Sequence, residues 1–162
     1  MNQLHWGTMR WVAQNTPEDA KIYVLYSQVY SQTSVLYNTE RVNYFLELDN
    51  YQKIIQALTQ NRSIERIQAM TIAADSGAGL PYRKSLLGFG RHTETLTGGQ
   101  YDICGADYYV VDLAFGQNEQ VLGQVNYALM QKFLKGNATI EYQNQWLAVL
   151  KNNNVGGDCL VQ

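Results

Sequence analysis

No apolar run in this sequence approaches the roughly 18 residues that a membrane-spanning helix needs, and no charged-then-apolar leader opens it. The chain as given therefore reads as soluble, either on its own or as a soluble piece of a membrane protein. Basic residues are scarce and scattered: the twelve Lys and Arg form no stripe, and the net charge is −2. A nucleic-acid partner, which needs a concentrated positive footprint, is thereby disfavoured. With two cysteines and two histidines, His5 and His92, the chain cannot assemble a four-ligand zinc site at the usual spacings. No nucleophile motif accompanies the histidines, so a serine-type triad is not indicated. An Asp-x-Asp metal pair of the soluble nucleotide-sugar transferase kind is also missing. Nothing in the sequence calls for a cofactor, and no catalytic residue stands out.

What is present is a single α/β domain over residues 1–162, rich in Tyr, Gln and Asn. Leu4, Met9, Trp11 and Val12 share a helical face, which predicts a helix over about Leu4–Gln14. An Asn15-Thr16-Pro17-Glu18-Asp19-Ala20 corner follows. Thr16 is placed to cap a short helical turn, with Pro17 at its first position and Asp19 at capping-box spacing. Ile22 and Val24 with flanking tyrosines then form a strand. A second strand is expected over Arg41–Leu48, a helix capped by Asp49 or Asn50 through Leu58, and another strand over Ile67–Ala74.

Residues 75–105 carry seven glycines and Pro81 without sustained periodicity, a long Gly-rich insertion of the kind that is functional or flexible in compact domains. Tyr108, Tyr109, Val110 and Val111 make Ala106–Leu113 the strongest strand, of the buried parallel type. A helix over Gln117–Lys135, stopped by Gly136-Asn137, precedes a closing hairpin, Ala138–Tyr142 and Gln145–Leu150. The tail, residues 152–162, reads as loose. The order predicts a three-layer-like, mostly parallel sheet with flanking helices.

Candidate chemistry gathers in the insertion. Tyr82, Arg83, Lys84, Arg91 and His92 combine anion-holding cations with a proton carrier, against the plainer reading of a solvated loop. Gly77-Ala78-Gly79 and Gly88-Phe89-Gly90 complete no phosphate-loop motif. Asp112, near the carboxyl end of the best strand, has the address of a ligand-contacting residue, or caps the following turn. Cys104 and Cys159 either form one disulfide, tying the tail to the loop before Ala106–Leu113, or remain two buried thiols. Asn61-Arg62-Ser63 and Asn137-Ala138-Thr139 match the N-glycosylation acceptor pattern.

Trp11, Asn15-Thr16-Pro17, Asp19-Ala20 and Ile22 follow a W-x-x-x-N-T-P-x-D-A-x-I pattern. Thr39–Phe45 and Gly105–Asp112 add two similar pieces. On these residues the chain resembles the extracytoplasmic domains that follow the last membrane helix of polytopic glycosyltransferases, of the dolichyl-phosphate-mannose–protein mannosyltransferase-like and oligosaccharyltransferase-like kinds. The resemblance implies a non-catalytic accessory domain at the extracytoplasmic face of the membrane. Its partners would be the membrane portion of the same polypeptide and a glycan or lipid-linked sugar. The Trp-Trp-Asp-Tyr-Gly motif of oligosaccharyltransferases is absent, with Tyr26-Ser27-Gln28 where it would begin, so no catalytic residue carries over. The alternative is a freestanding small-molecule-binding α/β domain with residues 75–105 as a lid.

Overall fold

Helix α1, Gln3–Asn15, buries His5, Thr8, Met9 and Val12. These residues recur at the i, i+3, i+4, i+7 spacing of one helical face. In the computed structural model, which describes residues 3–25, 42–45, 53, 56–57, 60, 68–71, 100–113 and 120–160, this face lies on a mixed β-sheet. Seven strands are seen among the described residues: β1 Lys21–Leu25, β2 Val42–Phe45, β3 Gln68–Thr71, β4 Gln100–Asp102, β5 Tyr108–Asp112, β6 Ala138–Gln143 and β7 Leu147–Asn152. A second long helix, α2, spans Gln120–Lys135.

The strand order is β4-β3-β2-β1-β5-β7-β6. Among the described strands the parallel pairings are β2–β1 and β1–β5, with Tyr23 paired to Tyr44 on one side and to Tyr109 on the other. The outer strands on both flanks are antiparallel. The expected mostly parallel sheet is thus a mixed one with a parallel centre. The physical reason lies in β4 and in the hairpin: β4 is a three-residue strand inside the Gly-rich stretch, too short to carry a periodic signal. The closing hairpin makes β6 and β7 antiparallel and fastens to β5 through β7, which runs against both of its neighbours.

Strands β1, β5 and β7 alternate between two cores. Ile22, Val24, Tyr108, Val110, Leu147 and Val149 face α1 and meet Met9 and Val12. Tyr23, Leu25, Tyr109, Val111, Ala148 and Leu150 face α2 and meet Val125, Leu129, Met130 and Phe133. Period-two alternation of apolar residues on both faces is what a central strand covered on both sides requires. Tyr109 and Phe133 stack with ring centroids 4.0 Å apart and planes 6° from parallel.

Thr16, which the sequence places as the cap of a following turn, also closes the end of α1. Its hydroxyl donates to the Val12 carbonyl at 2.7 Å, and Asn15 Nδ2 donates to the Trp11 carbonyl at 2.9 Å. Both side chains add a donor to carbonyls of the last turn of α1, where the Val12 carbonyl also accepts from the Thr16 amide at 3.3 Å. The Pro17 carbonyl accepts from the Ala20 amide at 3.0 Å, which closes the turn that leads into β1.

Helix α2 ends with Lys132 and Lys135 in its last turn, where cations complement the helix dipole. Asn137 follows with φ 80°, the left-handed conformation that Asn tolerates better than most residues. A side chain at Gly136 would come within 3.0 Å of the Cys159 backbone, so the helix end is packed against the C-terminal segment.

That segment, expected to be loose, is fastened. Cys104 and Cys159 are joined by a disulfide, and Cys159 and Leu160 are buried. Asn152, 5% exposed, donates through Nδ2 toward the carbonyls of Cys104 and Ala106 and the Tyr109 hydroxyl at 2.9–3.2 Å. Its Oδ1 accepts from the Asn154 amide, and the Tyr109 hydroxyl in turn donates to the Ile103 carbonyl.

Candidate functional site

β1 and β5 are adjacent and parallel, yet the chain leaves β1 for β2 on one side and β5 for the hairpin on the other. The carboxyl ends of β1 and β5 therefore flank a topological switch point, the place where open α/β sheets bind their ligands. Leu25 ends β1 and Asp112 ends β5.

Polar side chains converge there from both helices. Asn126 of α2 is fully buried, and its Nδ2 donates to the Asp112 carbonyl at 2.8 Å and the Leu25 carbonyl at 3.3 Å. It bridges the two strand ends from below. From the opposite face, His5 Nε2 of α1 approaches Asp112 Oδ2 at 3.5 Å. Both residues are buried, so the contact is held in a low-dielectric setting where electrostatic interactions are strong. The Trp146 ring meets the His5 ring edge-on, with centroids 5.9 Å apart.

The β6–β7 turn completes the cluster. Asn144 Nδ2 donates to the Leu4 carbonyl and the Thr8 hydroxyl, while its Oδ1 accepts from the Trp146 and Leu147 amides. Leu113 donates its amide to the Trp146 carbonyl at 2.8 Å. One Asn thus orients the Trp-bearing turn and ties it to the first half of α1. Asp107 marks the other end of β5, where its carboxylate accepts from the Lys21 amide at 2.8 Å.

The arrangement offers a carboxylate–imidazole pair, a carboxamide and an indole at one end of the sheet. Such a set combines hydrogen-bonding groups with an aromatic face. Among the described residues no group of three or more His, Cys, Asp or Glu is placed to hold a metal.

Asp112 stands at the strand end where the sequence places a polar role. The other sequence-designated ligand residues, Tyr82, Arg83, Lys84, Arg91 and His92, lie outside the described residues. His5, Asn126, Asn144 and Trp146 were not singled out by sequence reasoning. The available signal was the position of His5 on the apolar face of α1, one turn before Met9. A pairing partner 107 positions away leaves no local trace.

No family model, curated protein or solved structure matches the chain. Among the described residues, no helix is long and apolar enough to cross a membrane.

Proposed function

We propose that this chain is a non-catalytic extracytoplasmic accessory domain of a membrane-bound glycosyltransferase-like protein, contributing to recognition of an acceptor or a lipid-linked sugar. The observation that carries the reading is the buried Cys104–Cys159 disulfide. Such bonds form and persist in oxidising compartments and are rare where thiol reductants prevail. The α1–corner–β1 entry keeps the residues on which the family resemblance rests. A three-layer-like domain, with α1 and α2 on opposite faces, presents its strand ends as one surface.

The half-buried Trp146 ring, edge-on to His5 of the buried His5–Asp112 pair, supports a polyhydroxylated ligand, whose apolar face can stack on an indole. The test is to read the genomic frame upstream of Met1 and to trap the thiols of the native protein by alkylation in intact cells. About ten hydrophobic spans upstream and oxidised cysteines are expected. A true start codon without upstream spans, together with alkylated cysteines, overturns the reading.

The switch-point placement of Asp112 and Asn126 favours one alternative, a freestanding domain that binds a small molecule. In that case a ligand screen finds a compound that raises Tm, as any ligand selective for the native state does. The Asp112→Ala variant, with its fold retained, loses the shift.

A further inference from the structure

The geometry points to Asn137 as an acceptor of an N-linked glycan, a modification that rests on the extracytoplasmic reading and extends it to a covalent site. Asn137-Ala138-Thr139 has the acceptor pattern, but the pattern alone is common; the structural setting gives it weight. Asn137 is exposed although its neighbours Gly136 and Ala138 are buried, and its positive φ belongs to the sharp turn between α2 and β6. A bulky group on this side chain leaves the core undisturbed.

Thr139, the other half of the motif, is also exposed. Its hydroxyl lies 3.1 Å from Glu141 Oε1 and accepts from Asn153 Nδ2 at 3.1 Å. Asn153 also donates to the Asn137 carbonyl at 3.0 Å, so both ends of the triplet are held at the surface by one side chain.

The position gives the glycan a role. β6 is the last strand of the sheet, and Thr139, Ile140 and Glu141 are all exposed along it, Ile140 by 44%. Edge strands with exposed apolar residues template pairing with other chains unless they are covered or charged. A glycan rooted at the first turn of β6 shades that edge.

In the transfer step, the Asn137 amide nitrogen bonds to the anomeric carbon of a glycan carried on a polyprenyl pyrophosphate. The bond from that carbon to the pyrophosphate oxygen breaks, its electron pair leaves with the lipid pyrophosphate, and the amide nitrogen gives up one proton. A membrane transferase of the producing cell supplies the donor and the catalysis.

The test is production of the full chain through the translocated route of a cell that carries such a transferase. Non-reducing intact mass establishes the disulfide, and glycopeptide mapping locates the modification. One glycan at Asn137 is expected, lost in Asn137→Gln and in Thr139→Ala and retained in Thr139→Ser. Thr139→Ala leaves Asn137 and its turn in place, so a loss there cannot come from a broken helix end. A translocated, disulfide-bonded chain with unmodified Asn137, or with a glycan only at Asn61, overturns the proposal. The alkylation state in native cells reports separately on the extracytoplasmic reading.

Discussion

On the α1 side of the sheet, the helix is held by apolar packing of Met9 and Val12 and by separable polar ties, His5 to Asp112 and Asn144 to Leu4 and Thr8. On the α2 side, packing of Leu129 and Phe133 is reinforced by a disulfide and by the Asn152 hub, which reaches two carbonyls and a phenol. One face is closed by contacts that can be made and broken one at a time. The other is closed by a covalent bond and a hydrogen-bond network whose members depend on each other. This difference teaches where the chain places rigidity: in the C-terminal half, with the strand-end cluster of the candidate site between the two.

The comparison can be broken first at its covalent end. Closing a loop of sequence separation 55 is worth about 4 kcal/mol by the chain-entropy relation. Reduction, or Cys104→Ala with Cys159→Ala, is expected to lower unfolding stability by about that amount in urea titrations. A midpoint unmoved by reductant would place the rigidity elsewhere. The next effect is at Asn152. Its replacement by Ala strands buried acceptors and should cost about 2–3 kcal/mol, read from the same titration.

On the α1 side, Asn144→Ala removes ties to α1 and to its own turn. About 1–2 kcal/mol is expected, with hydrogen exchange rising in α1 but not in α2. Equal rises in both helices would erase the distinction between the faces.

The smallest effect is a pH dependence at Tyr108. Burial, then the carboxylates of Glu141 and Asp107, raise its phenol above the usual value of 10.0. The folded state therefore holds this proton more tightly than the unfolded state. Stability is retained below about pH 10 and falls as pH climbs through the raised value. Tyr108→Phe should lose less stability than the parent between pH 9 and pH 11 in thermal melts.

Much of the fold was legible because its signals are local. The α1 face, the apolar run of β5, the α2 periodicity and the hairpin all lie within single windows of sequence. The hairpin turn falls at Asn144-Gln145-Trp146, and α1 extends one residue beyond each expected end. The bond from the Thr16 hydroxyl back to the Val12 carbonyl was not legible, because a hydroxyl between a helix and a proline can serve the carbonyls behind it as well as the amides ahead. The candidate site was hardly legible beyond Asp112. His5, Asn126 and Asn144 gain their meaning from contacts across the sheet, and such contacts leave no spacing pattern. The C-terminal segment looked loose because its composition is polar and Gly-rich; one bond and one buried Asn override that composition.

The Cys104–Cys159 bond also divides the chain mechanically. Tension applied between the two termini travels through residues 3–104, crosses the sulfurs, and leaves near residue 159, bypassing β5, α2, β6 and β7. About 190 Å of contour, at ~3.4 Å per residue over a separation of 55, stays hidden from a pulling force until the bond is reduced. For the same reason, a protease nick within this loop releases no fragment until a reductant is added.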